Sequence, residues 1–146
     1  MKKSLVILLL LFASTGFSQT SNYKNILISG KWTPTYMMRG EQKNLIPKHK
    51  ENKMWVFFFK DGKYEANSIV KQDNIIESEN DKGIAKEEKI KKEYGKWMFS
   101  KDNTSITIDF NDRKDTVTIE SLTTSELILS KIEQGSKQII GFKNIK

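Results

Sequence analysis

Ser105-Ile106-Thr107-Ile108-Asp109-Phe110-Asn111-Asp112-Arg113-Lys114-Asp115-Thr116-Val117-Thr118-Ile119 alternates apolar and polar residues, breaks at a polar turn, and alternates again. Successive side chains of an extended chain point to opposite faces, so Ile106, Ile108 and Phe110 share one face while Thr107 and Asp109 share the other. Past the turn, Val117 and Ile119 continue the inward set. This is the pattern of two half-buried antiparallel strands joined by a short connection.

The same rhythm extends in both directions. Downstream, Thr123 to Ser125 makes a turn, Leu127 and Leu129 open the next inward face, and Gln134-Gly135-Ser136 turns into a last strand over residues 137–144. Upstream, Tyr94 to Ser100 reads as a strand and Lys101-Asp102-Asn103 as its turn. Further upstream, Met54 to Lys60 is nearly all apolar, which predicts cover on both faces or a place in a large apolar wall. Lys60-Asp61-Gly62-Lys63 predicts a two-residue hairpin, because glycine takes positive φ without steric cost. The strand that follows, from Lys63 to about Val70, places Tyr64, Ala66 and Ser68 on one face and Glu65 and Asn67 on the other. The first strand, Lys31 to Arg39, places Trp32, Pro34, Tyr36 and Met38 together. Pro34 has no amide donor, which predicts an edge or a bend there.

Before that strand, Tyr23, Ile26 and Leu27 at helical spacing, with Ser21 or Asn22 as cap, predict one or two turns of helix. Gly40 to Asn52 reads as a polar loop. Lys71 to Glu93 breaks the rhythm with many charges and few apolar residues, and predicts a long hairpin excursion or loop. The pairs Glu87/Lys91 and Glu88/Lys92 are spaced for a short helix over residues 86–92. Taken together the chain is all-β, an up-and-down antiparallel β-barrel of about eight strands with a short N-terminal helix.

The start of the chain sets the compartment. Lys2 and Lys3, the apolar run Leu5 to Phe12, and the small residues around Gly16-Phe17-Ser18 form a secretory signal peptide over residues 1–18, with the barrel domain over 19–146. The apolar run is shorter than the roughly 20 residues that span a bilayer as a helix. The expected product is exported, periplasmic or extracellular, with no integral membrane segment. The chain has 146 residues, a net charge of +7 and no cysteine, so export brings no disulfide bonds. Its lysines are scattered among acids and its arginines number two, Arg39 and Arg113. That argues against nucleic acid as a partner and for a solvated surface.

The residues also leave little for catalysis. The one histidine, His49, stands in a lysine-rich stretch without cysteine or a second imidazole, so neither a metal nor another cofactor is expected. Glu77, Glu79 and Asp81 alternate, but their spacing does not match a calcium loop. There is no Gly-x-Ser-x-Gly elbow and no glycine-rich phosphate cradle, so the chain is not expected to be an enzyme.

Several pieces resemble a known family in their order and spacing. They are Gly30-Lys31-Trp32, Phe58-Phe59-Lys60-Asp61-Gly62-Lys63-Tyr64, Tyr94-Gly95-Lys96-Trp97 followed by Ser105-Ile106-Thr107-Ile108, and Ile119-Glu120-Ser121-Leu122-Thr123 leading to Glu126-Leu127-Ile128-Leu129. The chain resembles the lipocalin-like domains of small exported bacterial proteins. The resemblance implies an up-and-down barrel with an apolar ligand cavity. It implies that Trp32 closes the narrow end beneath a basic side chain, for which Lys131 and Lys143 are the candidates. The acidic first-turn motif and the disulfide of many secreted lipocalins are missing.

Two functions follow as expectations. One is a binding protein for a small apolar or amphipathic ligand, with Tyr36, Met38, Phe58, Tyr64, Trp97, Phe110 and Val117 chosen by strand parity as lining residues. The other is a filled barrel that binds another exported protein, through the 71–93 segment or through the face of the second strand bearing Trp55, Phe57 and Phe59.

Overall fold

A computed structural model of the chain describes residues 22–77 and 82–146, with the side chains of 71–87 left aside. The leader expected over residues 1–18, the cap at Ser21, and Glu79 and Asp81 lie outside the described residues.

Helix α1 covers residues 22–27 and leads into strand β1, Lys31–Arg39. After it come β2 (Gln42–Leu45), the short helix α2 (Lys48–Glu51), β3 (Trp55–Phe58), β4 (Lys63–Glu77) and β5 (Lys82–Phe99). The chain ends with β6 (Ser105–Asp109), β7 (Lys114–Leu122), β8 (Glu126–Glu133) and β9 (Ser136–Ile145). All neighbouring strands are antiparallel, and β9 pairs back onto β1 from Lys31↔Ile145 to Arg39↔Gln138. The closed ring is β1 and β3 to β9. Strand β2 is an addition: it takes the edge of β1 at Tyr36 to Arg39, while β3 takes that edge at Trp32↔Val56. Closure removes the free edges that an open sheet of this size would leave.

The alternation in the sequence is the alternation of burial. Ile106 and Ile108 of β6 are buried between half-buried neighbours, and Leu127 and Leu129 of β8 point to the same interior. At one end of the barrel the interior is solid. Leu27, Trp32, Ile106 and Leu127 are each 0% exposed, and the Trp32 indole Nε1–H donates to the Leu27 carbonyl at 2.8 Å. Helix α1 thereby plugs this end with Leu27 and also satisfies the one polar atom of the tryptophan. Trp97 packs edge-on against Phe58 and Phe99 and donates to the Phe59 carbonyl at 2.9 Å.

The structure corrects the sequence reading in five places. Gly40 to Asn52 is not simply a loop, because Gln42–Leu45 pairs with β1 and Lys48–Glu51 turns into α2. No apolar alternation marks β2, since all four of its residues are exposed. Residues 86–92 are strand, not helix: Ile69 faces Ile90 in one unbroken β4–β5 ladder, and continuous pairing outweighs charge pairs worth only a few tenths of a kcal/mol. The excursion is accordingly a hairpin that extends β4 to Glu77 and begins β5 at Lys82.

The turn after β3 has three residues rather than two. Phe59 N–H donates to Lys63 O at 2.8 Å, Gly62 N–H donates to Phe59 O at 3.1 Å, and Gly62 sits at φ +87°, the left-handed position this turn requires. In β1 the register slips between Pro34 and Tyr36, a β-bulge that reverses which side chains point inward. Pro34 faces Phe142 before the bulge, and Met37 faces Ile140 after it, so Tyr36 and Met38 turn outward. The Tyr36 ring lies over Gly141, where a Cβ would meet its Cε1 at 2.1 Å, and Lys43 Nζ sits 4.2 Å above the same ring.

Candidate functional site

The end opposite Trp32 holds a cavity of about 310 Å³. Its origin is a mismatch of strand lengths. Strand β3 pairs with β4 only from Tyr64 to Asn67, so β4 runs on past it without a partner on that edge. The segment between β2 and β3 stands beside this gap, and its Ile46 and Met54 line the cavity. Two ion pairs hold α2 in place, Lys50 with Glu88 of β5 and Lys143 of β9 with Glu51. The bond from Lys50 holds the Glu88 carboxyl below its ordinary range.

The wall is mostly apolar. Phe58, Tyr64, Phe110 and Phe142 supply aromatic surface, and Pro34, Met37, Val56, Ile108, Val117, Leu129 and Ile140 fill between them. The rings interlock: Tyr64 lies 5.3 Å from Phe58 and 5.6 Å, edge-on, from Phe110. Polar side chains enter at few points, among them Ser68, Asp115, Lys131 and Gln138. A concave apolar wall with a few polar groups is the usual form of a small-molecule site.

The charged groups near this wall are tied to one another. Arg113 lies over the Phe110 ring, with Cζ 4.1 Å from its centre. It reaches Glu93 at 3.0 Å and Asp115 at 3.4 Å, and Lys91 adds a second cation 3.0 Å from Glu93. Burial acts to raise the Glu93 carboxyl, but the bonds from Lys91 and Arg113 outweigh it and hold Glu93 below its ordinary range. Burial pushes the Tyr64 phenol well above its ordinary value, and the carboxylates of Glu93 and Asp115 push the same way. It is therefore a neutral hydroxyl at any physiological pH.

Of the residues chosen by parity, the structure brings Phe58, Tyr64, Phe110 and Val117 together in this wall. Trp97 belongs to the packed layer below it, against Phe58 and Phe99. Tyr36 and Met38 stand outside, because strict alternation fails at the bulge. Lys131 lines the cavity and lies 3.6 Å from Glu133, while Lys143 is engaged by Glu51. The wall residues that parity missed include Met37 and Ile46. Pro34 is the signal that could have located the bulge, since a residue without an amide donor marks a break in pairing.

On the outer face, Phe57 and Phe59 pack edge-on at 4.5 Å, and Lys31 covers Trp55 at 4.3 Å. His49 is exposed on α2. Among the described residues no group of three or more His, Cys, Asp or Glu is arranged to hold a metal ion, and no helix is long and apolar enough to cross a membrane.

Comparison with known proteins agrees with this architecture. No curated protein matches the chain. Among solved structures, a lipocalin-like protein from Bacteroides uniformis ATCC 8492 is similar, with a TM-score of 0.52, 19% sequence identity, and coverage of 82% of this chain and 99% of that one. At this identity the likeness bears on fold alone. The family model for the lipocalin-like domain matches residues 28–129, from the end of α1 to the middle of β8, and the chain belongs to the lipocalin-like domain family.

Proposed function

We propose that this protein is an exported carrier that holds a small apolar or amphipathic molecule in the open end of its barrel. The observation that carries the reading is the cavity of about 310 Å³ with its aromatic wall. Burying apolar ligand surface there contributes roughly 25 cal/mol per Å². The leader expected at the N-terminus supports export to the periplasm or beyond. Carriage rather than catalysis is supported by the state of the nearby titratable groups: Glu93 and Asp115 are paired with Lys91 and Arg113, and Tyr64 stays protonated.

Trp97 packs edge-on against Phe58 of the cavity wall, so an occupant changes its emission. Titration of the protein with fatty acids, sterols and haem, followed by tryptophan fluorescence, is expected to give a saturable change with at least one class. Silence across all three classes, with the fold intact by circular dichroism, overturns the reading.

A second reading has support from the outer sheet face. Tyr94 and Met98 of β5 are 60% and 59% exposed, on the same side of the sheet as Phe57 and Phe59. This is the surface a protein partner would use if the barrel acted as an interaction module.

A further inference from the structure

Tyr64 is the one tyrosine of the cavity wall among the described residues. It is 7% exposed, its ring is held between Phe58 and Phe110, and it lines the void. A buried phenol normally gives its proton to an acceptor, because leaving the hydroxyl unpaired costs about 1–3 kcal/mol. No hydrogen bond joins Tyr64 Oη to another described residue, and it is not among the side-chain atoms sealed away unpaired, which are Thr33 Oγ1 and Asn144 Oδ1, so the hydroxyl opens onto the void. Trp32 and Trp97, the other large polar-tipped residues of the interior, do have acceptors, at 2.8 Å and 2.9 Å. The contrast separates a hydroxyl built into the barrel from one left for something that enters it.

The surroundings restrict what enters. Glu93 and Asp115 are close enough to act on the phenol electrostatically, and the one guanidinium beside them, Arg113, is already shared between the two. Lys91 is likewise committed to Glu93, so an anionic group next to Tyr64 would give up its hydration with no free cation in this cluster to receive it. A neutral oxygen acceptor meets no such penalty. The rest of the wall near the phenol is aromatic and aliphatic, which favours an apolar body.

Resting on the carrier reading above, we infer that Tyr64 is the hydrogen-bond donor that orients the cavity's ligand, and that this ligand is a neutral, largely apolar molecule presenting a carbonyl or ether oxygen. Fatty acid anions are therefore poorer ligands than neutral ring compounds of similar size.

Three probes of one shape test this: acetylnaphthalene, which has a neutral acceptor; ethylnaphthalene, which has none; and naphthoate, which is anionic. The wild-type protein is expected to bind the ketone about five- to tenfold tighter than the hydrocarbon, the worth of one net hydrogen bond. Tyr64→Phe keeps the ring and is expected to abolish that preference without changing the affinity for ethylnaphthalene. The carbonyl stretch of the bound ketone is expected to shift to lower wavenumber in the wild type, a readout that does not depend on the variant folding. Equal binding of ketone and hydrocarbon, an unshifted carbonyl, or tighter binding of naphthoate overturns the assignment of Tyr64 while leaving the carrier reading intact. If none of the probes binds, the carrier reading falls with it.

Discussion

The two ends of this barrel are built from the same kinds of residue and come out opposite. At one end Leu27, Trp32, Ile106 and Leu127 leave no space; at the other Phe58, Tyr64, Phe110 and Phe142 surround an empty one. Side-chain size does not explain the difference, since the open end is the richer in aromatics. What differs is what the backbone brings over each end. Helix α1 carries Leu27 onto Trp32 and seals that end. At the other end β3 stops after four residues while β4 runs for fifteen, so no strand carries side chains across the gap. An interior stays open where chain runs out, not where residues are small.

The contrast breaks most visibly at Trp32. Trp32→Ala removes the largest fully buried side chain of the sealed end, and the expected loss is about 3–5 kcal/mol in urea unfolding, with Leu27 losing its packing partner. If the loss stays below about 1 kcal/mol, the sealed end is not the stability centre described here.

A smaller effect sharpens the description of the open end. Met37 lines the cavity and Met38, its neighbour beyond the bulge, does not. Met37→Ala is expected to weaken binding of a cavity probe by about three- to tenfold, the worth of a partly lost apolar contact, while Met38→Ala leaves it unchanged. The reverse order would place the bulge elsewhere.

The smallest effect concerns the turn between β5 and β6. Asp102 accepts from the Ser100 hydroxyl at 2.6 Å and from the Thr104 hydroxyl at 2.8 Å, which lowers its carboxyl from the ordinary 3.8 to about 2. Its folded-state value lies below its unfolded one, so its contribution is complete above about pH 4 and fades as pH falls toward 2. Acid titration of the thermal midpoint should therefore show Asp102→Asn to be less acid-sensitive than the wild type below about pH 4. Identical acid profiles would show that this turn does not matter to stability.

Several strands were legible because a half-buried strand writes its burial into its own residues. Ile106, Ile108, Leu127 and Leu129 lie where alternation puts them, and so do Tyr64 and Ala66. Strand β2 was illegible for the converse reason, since a wholly exposed strand has no apolar face to show. The Lys71 to Glu93 stretch was legible as a hairpin but not as an extended ladder, because its pairing rests on backbone bonds that side-chain pattern does not encode. Tyr36 and Met38 were misplaced by a single event, the bulge after Pro34, which moves every later residue of β1 to the opposite face.

From its order of residues alone, this chain is committed to antiparallel strands with a dry side, to tight turns at Asp61-Gly62 and Asp102-Asn103, and to Trp32 at the head of the first strand. Those are local matters: side-chain parity, φ preference and turn hydrogen bonds act within a few residues. The cavity is a tertiary product. It needs the closure of β1 on β9, the sharing of one β1 edge between β2 and β3, and the early end of β3, and each is a relation between segments far apart in the chain.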